Sequence, residues 1–81
     1  MHYTYQPKGV CARKIDFDLE DGVVKNVRFL GGCNGNLKAI GTLIEGMTPD
    51  EIIGKLAGNT CGNRATSCAD QLTRALKEAT Q

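Results

Sequence analysis

The sequence predicts an α+β fold, a small antiparallel sheet of two to three strands with about three helices packed on one face. Three observations predict it. Residues 11–20, CARKIDFDLE, alternate apolar and charged side chains with the period of a half-buried strand. Asp21-Gly22 then supplies the dipeptide that favours a two-residue hairpin turn, and VVKNVRFL, residues 23–30, returns as the partner strand. After Leu30 the apolar period lengthens from two to that of a helix.

Each element follows in order. HYTY, ahead of Pro7, has the composition of a third strand. Leu37, Ile40, Gly41 and Ile44 recur at helical spacing, which predicts a helix over 36–45 with Gly46 as its stop. Thr48-Pro49-Asp50-Glu51 reads as an N-cap, a proline at the first helical position and a capping-box Glu, so a second helix carries Ile52, Ile53, Leu56 and Ala57 and ends at Gly58. Residues 59–66 form a loop. Ser67, with Asp70 three residues on, opens the last helix, whose apolar positions are Leu72, Ala75, Leu76 and Ala79. There is no internal repeat, linker or low-complexity segment to divide residues 1–81, and the length is that of one domain.

Composition narrows the function classes. A chain of 81 residues with 41% hydrophobic residues, 5% aromatics and no Trp has a thin core. Domains of this size gain from an additional tie such as a metal, a disulfide or an oligomer. Ten Lys+Arg against nine Asp+Glu, spread along the chain, give no electrostatic footprint for nucleic acid or an anionic membrane, and both are set aside as partners. The first residues, MHYTYQPKGV, lack a basic segment followed by an apolar run, and no stretch approaches the ~18 apolar residues of a span. The expectation is a soluble, cytoplasmic protein whose four cysteines are reduced thiols.

Those cysteines carry the chemistry. Cys33 lies four residues before Leu37 and Cys68 four before Leu72, so each stands at a helix start on the core-facing stripe. Helix N-termini favour thiolate over thiol, which promotes metal binding. Cys11 shares the inward parity of Ile15 and Phe17, and Cys61 lies in the loop ahead of the last helix. Together Cys11, Cys33, Cys61 and Cys68 number the four thiolates that a tetrahedral zinc or an iron–sulfur cluster takes. The Gly/Asn turns beside them fit a metal site: Gly32 and Gly35 permit close backbone approach, and Asn34 and Asn63 tolerate left-handed turns that free N–H groups for sulfur. Arg64 is the charge placed to hold an anion or a partner there.

Plainer readings stand beside each of these. A cysteine taken singly packs as a small hydrophobe, and the spacing of Cys61 and Cys68 is not that of a zinc ribbon. The glycines of GGCNGN match neither a dinucleotide fingerprint nor a P-loop. His2 is taken as a frayed surface residue, Asp16, Asp18, Glu20 and Asp21 as the solvated face of a strand and its turn, and Arg64 as an exposed loop residue. No catalytic residue is assigned.

The run TSCADQL, residues 66–72, together with GGCNGN, Cys11 and the NTCGN turn, resembles the TSCPD domain, with Ala69 in place of the motif's proline. The likeness runs from about Val10 to Leu76 and is strongest to short stand-alone members. Longer relatives form the C-terminal region of cobalamin-dependent ribonucleoside-diphosphate reductases, so the resemblance implies an accessory part in ribonucleotide reduction, with nucleotide binding and DNA synthesis in view, rather than a complete enzyme. More distantly the order of elements is similar to the U-type iron–sulfur scaffold fold, in which three cysteines hold zinc or a nascent cluster; Cys11, Cys33 and Cys68 match them. Arg13 stands where those scaffolds carry an Asp and Ser67 where they carry a His, which implies a closed site completed by Cys61 rather than a delivering scaffold. The expected protein is a cysteine-rich zinc or iron–sulfur module working with a larger partner or as a homo-oligomer. The alternative is a thiol/disulfide redox or nucleotide-binding component of the same reductase.

Overall fold

The computed structural model describes all residues except 11, 32, 33, 61, 64 and 81, and of Asn34 it describes the backbone alone. Strands β1 (His2–Tyr5), β2 (Ala12–Glu20) and β3 (Val23–Gly31) are followed by helices α1 (Asn34–Ile44), α2 (Pro49–Leu56) and α3 (Cys68–Ala79). The sheet is antiparallel in the order β1-β2-β3. Asp21 and Gly22 both take positive φ, 54° and 79°, so Glu20 and Val23 are joined by the mirror-image turn whose twist matches the strands.

The period-two alternation of β2 decides which face is covered. Ile15 and Phe17 are fully buried and share one core with Val24, Ile44, Ile52, Leu72, Ala75 and Leu76, while Tyr3 stacks on Phe17 with ring centroids 5.4 Å apart. The three helices thus pack on the face that bears Ile15 and Phe17. Thr48 caps α2 as predicted: its hydroxyl accepts from the Glu51 N–H at 3.2 Å, and the Glu51 carboxylate accepts from the Thr48 N–H at 3.2 Å. Helix α1 begins at Asn34, two residues before the predicted start at 36, and ends at Ile44, so its first turn takes in the Asn34-Gly35 pair ahead of the apolar period.

Two bulges interrupt the ladder, and neither is visible as alternation. Between the pairs Asp16–Arg28 and Asp18–Lys25 strand β3 carries one residue more than β2, and Asn26 sits there at φ 56°. The parity of β3 therefore switches, and Val24 before the bulge and Val27 and Phe29 after it all pack on the core. Between Ala12–Gly31 and Lys14–Leu30 the extra residue is on β2. Ala12 is accordingly 3% exposed and Arg13 is exposed. The alternation thus breaks at Arg13; Cys11, expected on the inward face, lies outside the described residues.

Helix α1 and its exit turn cover the outer edge of β3. The Val24 N–H donates to Met47 O and the Gly46 N–H to Val24 O, both at 2.8 Å, and the Asn26 N–H donates to the Glu45 carboxylate at 2.9 Å. Gly41 allows the close approach: a Cβ there would lie 3.1 Å from the Val27 carbonyl oxygen. Among the described residues no helix is long and apolar enough to cross a membrane.

Candidate functional site

The start of α3 is built from polar side chains that the fold has buried. Ser67, in extended conformation, is the N-cap, and its Oγ accepts from the Asp70 N–H at 3.1 Å. The same hydroxyl donates to Asn59 O at 2.6 Å and accepts from Asn59 Nδ2 at 3.2 Å, which closes the loop between α2 and α3 at its base. Asp70, 5% exposed, accepts from the Gly58 N–H at 2.7 Å and from the Thr66 hydroxyl, with the Arg74 guanidinium 3.3 Å away on its solvent side. Gln71 donates through Nε2 to Thr66 Oγ1 and accepts through Oε1 from the Lys8 N–H, both at 3.0 Å. Thr73 donates to Asp70 O at 2.6 Å.

Three segments distant in sequence meet here: Lys8–Gly9 ahead of β2, Gly58–Asn59 after α2, and the first turn of α3. Gly9 lies against Thr66, where an added Cβ would be 3.6 Å from the threonine methyl. The Thr66 hydroxyl, then the Gly58 N–H, hold the Asp70 carboxyl below the usual carboxylate range against the opposing effect of burial. Hydrogen bonds to a charged group contribute roughly 1.5–3 kcal/mol each, so this cluster is a strong local tie.

Cys68 is the first residue of α3 and is half-buried between Ser67 and the buried Ala69. It is the one proposed ligand within the described residues. Cys11, Cys33, Cys61, Gly32 and Arg64 lie outside them, as does the side chain of Asn34, whose backbone opens α1. Gly35 and Asn63 are exposed. Among the described residues no group of three His, Cys, Asp or Glu side chains is placed to hold a metal ion. Described residues within two positions of the thiols meet in two places: Ala12 and Gly31 are register partners at one end of the sheet, and Gly9 and Asn59 both adjoin Thr66-Ser67.

Sequence reasoning assigned Ser67 and Asp70 a capping role and gave Thr66 and Gln71 none. The available signal was the polar character of inward positions: Thr66, Gln71 and Thr73 flank Leu72, and all are buried. His2 is also ordered more firmly than a frayed terminus. It lies in β1 with Nδ1 2.7 Å from Asp18, and Asp16 accepts from the Thr4 hydroxyl at 2.8 Å, so these carboxylates cross-link strands on the solvated face.

The sequence model of the TSCPD domain matches residues 3–80. No curated protein and no solved structure matches the chain.

Proposed function

Since the chain belongs to the TSCPD domain family, we propose that it is a small metal-binding accessory module, with Cys11, Cys33, Cys61 and Cys68 as ligands for zinc or an iron–sulfur cluster. The donor set suits such a group, because four thiolates satisfy tetrahedral zinc or a cluster without water or histidine. One observation carries the proposal. Chain within two residues of each cysteine meets chain close to another: Ala12 pairs with Gly31, Gly9 lies against the Thr66 methyl, and the Ser67 hydroxyl donates to the Asn59 carbonyl. When bound, zinc contributes binding energy to folding, whereas a cluster supplies one-electron transfer.

The resemblance to the C-terminal region of cobalamin-dependent ribonucleoside-diphosphate reductases supports ribonucleotide reduction as the setting and a larger reductase as the partner. Metal analysis with a visible spectrum on anaerobically purified protein tests the assignment. The expected result is about one bound zinc, or an absorbing cluster, that is lost in Cys33→Ser. Equal metal content in Cys33→Ser overturns it, and metal-free protein whose alkylation pattern follows prior reduction replaces it with the dithiol reading.

A further inference from the structure

We propose that Thr66 and Asp70 are positioning residues for the thiol site, acting as a clamp that sets the two neighbouring loops against the helix turn bearing Cys68. The proposal rests on the metal-site reading of the cysteines given above. It is carried by what the clamp binds. Asp70 holds the Gly58 N–H directly, Gln71, itself bonded to the Thr66 hydroxyl, holds the Lys8 N–H, and the neighbouring Ser67 holds the Asn59 carbonyl, all backbone atoms of loops. Lys8 precedes Cys11 by three residues, Gly58 precedes Cys61 by three and Asn59 by two, and Ser67 adjoins Cys68. Every tied segment leads directly into a cysteine.

A polar cluster is the costlier way to hold a helix start. Buried carboxylate and amide groups must be desolvated, and apolar packing of the same volume stabilises at least as well. What directed hydrogen bonds add is a fixed geometry for the backbone they hold, which non-directional packing does not impose. The connectivity bears this out. Thr66 Oγ1 donates to Asp70 and accepts from Gln71, so one hydroxyl couples the Gly58 tie to the Lys8 tie. Loss of that hydroxyl loosens both loops together.

The test compares Asp70→Asn, Thr66→Val and Thr66→Ser with Ile15→Val, a core change in β2 that lowers stability without touching the clamp. Thr66→Val keeps the size and charge of the site and removes only the hydroxyl; Thr66→Ser retains it. Each protein is held the same interval below its own Tm. Two quantities are read: the rate at which iodoacetamide labels Cys68 in chelator-treated protein, by peptide mass spectrometry, and zinc retention against a chromophoric chelator. Asp70→Asn and Thr66→Val are expected to label Cys68 about five-fold faster, as local opening becomes easier. Both are also expected to retain zinc about ten-fold less tightly, as for other groups that orient metal ligands. Thr66→Ser is expected to match wild type and Ile15→Val to stay within about two-fold of it.

Labelling in Thr66→Val no faster than in Ile15→Val overturns the clamp, whether or not Asp70→Asn folds. Faster labelling with unchanged zinc retention shows a loop tie that does not position ligands, and overturns the positioning role. If wild type binds no zinc or cluster, the metal-site reading fails and the positioning role fails with it, while the labelling rates still decide whether the clamp exists.

Discussion

The side-chain amide of Asn26 donates to the carboxylate of Asp18 across the sheet, Nδ2 to Oδ2 3.0 Å, from a residue held at φ 56° inside β3. The left-handed residue is therefore fastened twice, since its own N–H donates to Glu45 at the end of α1. Asparagine suits the position because it tolerates this region and its short amide reaches the neighbouring strand. Asn26→Val places a β-branched side chain at positive φ and removes the cross-strand bond. Its expected cost is about 2–3 kcal/mol in urea unfolding, against about 1 kcal/mol for Asn26→Gly, which keeps the backbone geometry. Equal losses in the two variants would show that the bulge does not depend on the residue's conformation.

Asp18 also bears on acid stability. The Asn26 amide, then His2, hold its carboxyl below the usual range; Glu51, bonded to Thr48, and Asp70 are shifted in the same direction. A carboxyl whose folded pKa lies below its unfolded value contributes stability above the unfolded value, about 4, and loses it as pH falls through the depressed folded value. Tm is thus expected to fall with acidification from roughly pH 5 downward, and to fall less steeply in Asp18→Asn. An unchanged slope in that variant would remove Asp18 from the acid response.

Two helical glycines make opposite predictions. Gly54 in α2 is exposed and a Cβ there meets nothing within 4 Å, so Gly54→Ala is expected to stabilise by about 0.5–1 kcal/mol through helix propensity and the unfolded state. Gly41 in α1 is buried, and its added methyl would press on the Val27 carbonyl at 3.1 Å. Gly41→Ala is expected to destabilise by about 1 kcal/mol or more despite the same propensity gain. Thermal unfolding of the pair decides it, and stabilisation by Gly41→Ala would show that α1 can move off β3.

What was legible in the sequence was local. The alternation of β2, the Asp21-Gly22 turn and the Thr48–Glu51 capping box each depend on neighbours within a few residues, and each is present. The bulges at Arg13 and Asn26 depend on which strand absorbs an extra residue against a partner, and Asn26 is further fixed by Glu45 from another element. That information is not in the alternation, and the inward parity of Cys11 rested on alternation alone. The same distinction separates Ser67, whose cap is local, from Gln71, whose partner Lys8 is 63 residues away. Placing Cys33 and Cys68 ahead of helices uses a local pattern of this kind, whereas the hydrogen bonds joining Thr66, Asp70 and Gln71 to Gly58 and Lys8 need the folded chain.

If the proposed metal is bound, its removal separates the role of the thiols from that of the core. The buried cluster of Ile15, Phe17, Val24, Ile44, Ile52, Leu72, Ala75 and Leu76 draws on β2, β3 and all three helices and, among the described residues, includes no cysteine. Chelation is therefore expected to leave far-UV circular dichroism largely intact while Tm falls. Each kcal/mol of lost binding lowers Tm by roughly 4–8 °C in a domain of this size. Where Cys68→Ser purifies without metal, it should melt close to chelated wild type and show no further response to chelator, because both then lack the bound metal. Loss of the dichroism signal on chelation would instead mean that the metal, and not the apolar cluster, holds the sheet and helices together. A Tm unmoved by chelator in protein with bound metal would mean that the metal stabilises neither.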